Sequence, residues 1–123
     1  MKAIQYILLL LLFFSCSKEE ATNRTTSREV EYRMTYTNAR HQSVSYHNED
    51  ERLWADISPL PVNWSRKFVP NRKPFHALLR GGATANENET ATVTVEILVN
   101  GKVVKAETQS GRDLFVVIEY TVD

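Results

Sequence analysis

The chain has 123 residues, room for a single domain, and its 15 basic and 15 acidic side chains give a formal charge of zero. This balance provides no basic field for nucleic acid, and the single cysteine excludes an internal disulfide framework and a cysteine metal site. Hydrophobic residues make up 42% of the chain, enough for a small core, and the valine, threonine and tyrosine content favours strands.

The N-terminal residues 1–15 have the pattern of a lipoprotein signal peptide. Lys2 supplies a short positive region, and the mostly apolar run 4–14 is shorter than the roughly 20 residues that span a membrane. Ser15 and Cys16 then complete a sequence that resembles a bacterial lipobox, in which a small residue precedes the cysteine that receives the lipid. We predict cleavage before Cys16 and a diacylglyceryl anchor with further acylation, such as palmitate, on its mature N-terminus. The alternative is an ordinary signal peptide or signal anchor with an incidental cysteine.

The residues after the cysteine predict an address in the cell envelope. Ser17, Lys18, Glu19 and Glu20 resemble the export signal of surface lipoproteins in Bacteroidota, although charged residues are common in any tether. Residues 16–28 lack apolar periodicity and predict a flexible tether, followed by one domain over residues 29–123. We expect an outer-membrane lipoprotein, with its surface and periplasmic orientations both open.

A hairpin dominates the domain. Residues 92–99 alternate polar and β-branched apolar side chains, and Asn100 and Gly101 tolerate the positive φ angles of a two-residue turn. A second run, residues 102–108, completes the hairpin. The predicted register pairs Val99 with Lys102, Ile97 with Val104, Val95 with Ala106, and Glu96 with Lys105.

Further strands are expected along the rest of the domain. The turns between them include residues 37–42 and a polar loop over residues 81–89. The spacing predicts an all-β antiparallel sandwich of about seven to eight strands. The candidate strands are residues 30–36, 43–46, 53–57, 62–69, 74–79 and a largely buried strand over 114–122.

Three stretches resemble the small MmpS-like accessory family, which includes mycobacterial membrane proteins and short Bacteroidota lipoproteins. They are VEYRMTYTN at residues 30–38, WSRKF at residues 64–68, and TVTVEILVNGKVVK at residues 92–105 with Ser110 and Gly111. The resemblance implies an immunoglobulin-like β-sandwich. In mycobacteria it also implies partnership with large resistance-nodulation-division transporters that export lipids or siderophores, through relatives that a transmembrane helix anchors.

No residue pattern in the sequence indicates catalysis, a metal site or a cofactor. His41, His47 and His76 lack a metal-ligand spacing, and we expect them to be exposed turn histidines. No serine lies in a nucleophile elbow, and the acidic clusters at residues 49–51 and 87–89 fall in predicted solvated turns. We therefore expect a protein that is not an enzyme.

The basic stretch over residues 66–80 is the candidate contact surface. It contains no acidic residue, and the aromatic residues Trp64, Phe68 and Phe75 are interleaved with its charges. We predict contact with lipid phosphates, lipopolysaccharide or an acidic partner, against the alternative of a solvated turn whose aromatic side chains point into the core. Trp64 is expected in the core, whereas Trp54 fits either the core or a binding face. The basic residues are Arg66, Lys67, Arg72, Lys73 and Arg80.

These patterns together predict a lipid-anchored, non-catalytic envelope protein that acts as a binding or accessory module of a membrane transport or surface complex. One alternative is a surface-exposed module that binds an external glycan or a host protein. A further alternative is an enzyme with an unrecognised site.

Overall fold

The computed structural model describes residues 28–123, so the signal peptide, Cys16, the export motif at residues 17–20 and all of the tether before Arg28 lie outside it. The described residues form eight strands in two antiparallel sheets and contain no helix, which confirms the predicted all-β sandwich. The strands are β1 (Val30–Thr37), β2 (Ala39–His47), β3 (Leu53–Ile57), β4 (Asn63–Phe68), β5 (Phe75–Ala85), β6 (Ala91–Val99), β7 (Lys102–Gly111) and β8 (Asp113–Val122).

The first sheet has the strand order β4-β1-β6-β7, and the second sheet has the order β3-β2-β5-β8. Strand β4 returns to lie beside β1, and β3 lies beside β2, so the first four strands form a Greek key divided between the two sheets. The two central strands of each sheet, β1 with β6 and β2 with β5, are distant from each other in sequence.

The core lies between the sheets and follows the predicted alternation. In the first sheet Tyr32, Met34, Val95 and Ile97 are fully buried, because residues two apart on a strand point to the same face. Tyr46 of the second sheet packs against the ring of Tyr32, with the ring centroids 5.6 Å apart. Burying large side chains from both sheets supplies the main stabilisation of such a domain.

Strand β5 is longer than expected, because Gly81 and Gly82 lie inside it rather than in a polar loop. A Cβ atom added to Gly81 would lie 2.7 Å from Cγ1 of Val95, so the opposite sheet approaches too closely for a side chain there. A Cβ atom on Gly82 would lie 2.5 Å from Oγ of Ser43. Gly81 therefore permits close packing between the sheets, Gly82 lies against Ser43 of its own sheet, and the loop prediction is wrong for residues 81–85.

Strand β2 also begins earlier than predicted. Asn38 has φ = 56° and reverses the chain within one residue, so that β2 starts at Ala39. The expected long turn over residues 37–42 is therefore wrong. Asparagine is one of the few residues besides glycine that adopt this left-handed conformation readily, which allows so short a connection between two sheets.

The predicted hairpin exists, but its register changes after the first two pairs, the second of which joins Leu98 to Val103. Asn100 and Gly101 form the turn with φ angles of 51° and 80°, and Val99 lies opposite Lys102 as expected. A β-bulge then adds Val104 to β7, and all later pairs shift by one residue. The three other predicted pairs are wrong. In the structure Ile97 pairs with Lys105, Glu96 with Ala106, and Val95 with Glu107.

Strand β8 is half-buried rather than largely buried. Val116, Ile118 and Val122 face the core, whereas Phe115 and Val117 point to solvent on the outer face of the second sheet. A continuous apolar run does not distinguish a strand buried on both faces from one with an exposed apolar face. The outer face of β8 therefore leaves the large apolar side chains of Phe115 and Val117 on the surface.

The side of the sandwich between β3 and β4 is held by hydrogen bonds that cross from one sheet to the other. Trp64, buried as predicted, donates from Nε1 to a carboxylate oxygen of Asp56 over 3.1 Å. Ser58 donates to the carbonyl oxygen of Gln42 over 2.8 Å. These bonds connect β4 and the β3–β4 connection to the second sheet.

Candidate functional site

The predicted acidic turn at residues 48–51 follows β2 and is closed by its first residue. The Asn48 side chain accepts hydrogen bonds from the backbone N–H groups of Asp50 and Arg52, each over 3.0 Å. Glu51 occupies the left-handed region with φ = 59°. This geometry directs the acidic side chains away from the end of β2, which is the reason they reach the neighbouring loop.

The acidic turn lies directly against the predicted basic stretch. The backbone N–H of Asn71 donates to the carbonyl of Glu49 over 2.9 Å, and its side chain donates to Asp50 over 2.8 Å. Ion pairs join Arg66 to Glu49 at 3.1 Å and Arg72 to Glu51 at 3.5 Å. Two charge clusters that are separate in sequence therefore neutralise each other in part.

The basic residues are distributed over three parts of the fold. Arg66 lies on the inner face of β4, with its guanidinium carbon 5.4 Å from the centroid of the Tyr46 ring. Lys67 lies on the same strand 3.8 Å from a carboxylate oxygen of Glu29. Arg80 lies on β5, in the second sheet. The five cations therefore do not form one surface, and only Arg72 and Lys73 share the loop after β4.

The aromatic side chains of the basic stretch point into the core, as the alternative interpretation expected. Trp64 and Phe75 are buried, and Phe68 packs against Phe75 with ring centroids 5.6 Å apart. Within residues 28–123, neither Lys73 nor Arg80 forms an ion pair. An anion contact at these two cations stays a prediction.

An open cleft of about 660 Å³ lies where the basic loop meets the start of β5 and the end of β8. Glu51 accepts a hydrogen bond from the backbone N–H of His76 over 2.8 Å, and it also pairs with Arg72, so its charge is largely compensated. Arg28 donates to the carbonyl of Arg72 over 3.1 Å, so the chain enters the domain beside this cleft. The polar residues that line this cleft are Glu51, Asn71, Arg72, Lys73, His76 and Thr121.

The histidines lie on strands, which makes the expectation of turn histidines wrong. His41 and His47 belong to β2 and His76 belongs to β5. The rings of His47 and His76 meet edge to face with centroids 5.3 Å apart, and Nδ1 of His47 lies 2.9 Å from the carbonyl of His76. Nε2 of His76 lies 3.6 Å from a carboxylate oxygen of Glu119. Adjacent strands bring these side chains together, and no local spacing in the sequence indicates that contact.

In the part of the chain from residue 28 onward, no group of three or more histidine, cysteine or acidic side chains is arranged to hold a metal ion. The same part contains no helix long and apolar enough to cross a membrane.

A second candidate surface lies at the β3 edge of the second sheet. Trp54 is 56% exposed there, and its neighbours Leu53 and Ile57 are also exposed. The sequence left the role of Trp54 open between the core and a binding face, and its exposure favours the binding face. Leu53 and Ile57 point to the outer face, whereas Trp54 lies opposite the buried Tyr46. The edge therefore exposes apolar surface on both sides of one short strand.

A shallow depression of about 230 Å³ lies at the other edge of the same outer face. Ser43 and Gly82 form its floor because neither has a large side chain, and the 64% exposed ring of Phe115 forms one wall. His41 and Asp113 add polar groups at its margin. The depression combines an exposed ring with hydrogen-bonding groups. No local sequence pattern indicates it, because its residues come from three strands.

The comparisons with known proteins give no independent assignment of family. No protein-family model matches this sequence, and no curated protein is significantly similar to it.

Proposed function

We propose that this chain is a lipid-anchored, non-catalytic envelope protein whose MmpS-like β-sandwich acts as a binding or accessory module of a membrane transport or surface complex. The lipobox ending at Cys16 and the charged residues 17–20 support the location. The three stretches at residues 30–38, 64–68 and 92–105 support the family. The partner would be reached from the outer membrane through the tether.

The exposed Trp54 is the observation that carries the binding role. Tryptophan is among the residue types most enriched where interfaces gain their affinity, because it buries a large area with few rotatable bonds. Several large apolar side chains exposed along one edge are also uncommon on a protein that has no partner. Leu53 precedes Trp54 on β3 and adds an exposed apolar side chain on the outer face, and Asp56 is fixed by its hydrogen bond to Trp64. The edge is therefore a preformed surface for a protein partner.

Substitution of Trp54 in the full-length, membrane-anchored protein tests this proposal. After crosslinking in intact cells, we expect a defined envelope protein to copurify with the natural chain and to be reduced at least about tenfold with Trp54→Ala, the loss expected for a central interface aromatic residue. Val103→Ala is the matched control, because Val103 is an exposed apolar residue on β7 of the other sheet. Equal recovery from all three proteins would contradict the role of Trp54.

The lipid anchor has its own test. We expect Cys16→Ala to move the protein from the membrane fraction to the soluble fraction, because the lipid would be its main attachment. A variant that still fractionates with membranes would contradict the anchor and leave the signal-anchor alternative.

The second candidate function, a surface module for an external glycan or host protein, is favoured by the depression beside Phe115. An exposed aromatic ring beside polar side chains suits a ligand with both apolar and hydroxyl-bearing faces. Protease treatment of intact cells separates the candidates. Degradation indicates surface display, whereas protection until lysis indicates the periplasm and a transporter-type partner.

A further inference from the structure

The two sheets have four edge strands, and three of them carry features that prevent pairing with another strand. Edge strands present unpaired backbone groups, so proteins protect them with short length, charges, prolines or bulges. Strand β3 is only five residues long. Strand β4 carries Lys67 and lies between Pro61 and Pro70. Strand β7 contains the bulge at Val104.

Strand β8 has none of these protective features apart from two acidic residues, Asp113 and Glu119. It is ten residues long and pairs with β5 without interruption from Asp113 to Val122. It contains no proline, lysine or arginine. Within residues 28–123 its other edge pairs with no strand. Phe115, Val117 and Tyr120 are exposed along it, so both its backbone and its side chains favour contact with another strand.

The strand is also complementary to itself when two copies run antiparallel. Pairing around a two-fold axis perpendicular to the sheet keeps the core faces of both copies on the same side of the joined sheet. One residue of β8 then lies at the axis, opposite the same residue of the second copy, and each symmetric register is identified by that residue. An axis at Val117 pairs Val116 with Ile118, and an axis at Ile118 pairs Val117 with Glu119. The Val117 register places no acidic side chain opposite another, whereas the Ile118 register places Asp113 opposite Asp123 of the second copy.

Neighbouring registers are less favourable. An axis at Val116 places Asp113 opposite Glu119 of the second copy, and an axis at Glu119 places that residue opposite its own copy. Like charges directly opposite each other destabilise a strand pair. The charge pattern therefore selects the register centred on Val117, which also pairs most of the strand.

We propose that β8 pairs with β8 of a second copy of this chain, centred on Val117, so that two second sheets join into one sheet of eight strands. This interface is distinct from the Trp54 edge, which remains free at both outer ends of the joined sheet. The two tethers leave from opposite ends of an antiparallel dimer. Residues 16–28 reach about 40 Å when extended, so both anchors enter one membrane when the strands lie along its surface.

The mass of the full-length protein, extracted in detergent and measured by light scattering with the detergent contribution subtracted, tests the proposal. We expect the natural chain to have the mass of two copies. Val117→Lys is expected to weaken dimerisation at least about tenfold, because it places like charges near the axis. Val103→Lys is the matched control on the edge strand of the other sheet, and it should remain dimeric.

Circular dichroism checks that both variants are folded. The proposal would be overturned if the Val117→Lys variant remained a dimer. It would also be overturned if Val103→Lys disrupted the dimer as strongly as Val117→Lys does. A natural chain with the mass of one copy over the whole concentration range would also overturn it. That last measurement needs no variant, so an unfolded Val117→Lys would not protect the proposal.

Discussion

The central strands of the two sheets contribute to the core in different ways. In the first sheet β1 and β6 fill it with large side chains, among them Tyr32, Met34 and Ile97. Between Ala77 and Ala85, the inward positions of β5 in the second sheet carry only one side chain larger than alanine, Leu79. The difference shows that the sheets are complementary in size: large residues on one sheet fill the space that small residues leave on the other.

The largest effect is expected at Gly81, where β5 comes closest to the large side chains of the first sheet. We expect Gly81→Ala to lower the free energy of unfolding by about 1–3 kcal/mol, because its new methyl group would overlap Val95 and crowd Met34. The measurement is urea unfolding followed by circular dichroism. In the double variant with Val95→Ala the two costs should not add, because the second substitution removes the obstructing methyl group. Additive costs would contradict the close approach.

A smaller effect is expected at Tyr32, the largest fully buried side chain of β1. Its hydroxyl donates to the carbonyl of His47 over 2.8 Å, so Tyr32→Phe should cost about 1 kcal/mol at neutral pH. Burial raises the pKa of Tyr32, which means that the fold favours the neutral phenol. This contribution is complete below the unfolded pKa of about 10 and is lost as the pH rises above it.

The pH dependence separates the role of the Tyr32 hydroxyl from simple packing. The stability of the natural protein should fall above about pH 10, and Tyr32→Phe should show a smaller fall. The remaining fall is expected from Tyr46, whose pKa burial also raises. Urea unfolding at neutral and alkaline pH measures both slopes. Equal slopes in the two proteins would mean that Tyr32 is not the group that titrates.

The smallest effect is expected at Gly82, one residue from Gly81 but on the outer face. We expect Gly82→Ala to change the free energy of unfolding by less than about 0.5 kcal/mol. The new methyl group would meet only the hydroxyl of Ser43, which rotates away, and alanine restricts the unfolded chain more than glycine does. Urea unfolding compares it directly with Gly81→Ala. A loss as large as that at Gly81 would contradict the assignment of the two glycines to opposite faces.

The same size difference explains how much of the fold was predictable. Strands β1 and β6 were predicted because their large apolar residues alternate with polar ones. The end of β5 was missed because a run of glycine and alanine gives no periodic signal, and Gly81-Gly82 is typical of a loop. The bulge at Val104 has no local signature either, so the predicted hairpin pairs failed beyond Val99 and Lys102.

The candidate site was less predictable than the fold, because it depends on contacts between distant residues. The acidic turn and the basic loop were each recognised, but their contact through Asn71 depends on the path of the chain between them. The meeting of His47 and His76 depends on the pairing of β2 with β5. Local patterns identify such segments, and only the strand order determines which of them become neighbours.

The turn of the β6–β7 hairpin has a mechanical consequence. Its Asn100 exchanges two hydrogen bonds with the backbone of Glu29, at 2.9 Å and 2.8 Å, where the chain enters the domain. A pull from the N-terminal side therefore first loads these two bonds. It then loads the ladders on both sides of β1, which lies between β4 and β6. Both ladders resist in shear along their whole length, so tension applied at the entry point is shared by many backbone hydrogen bonds at once.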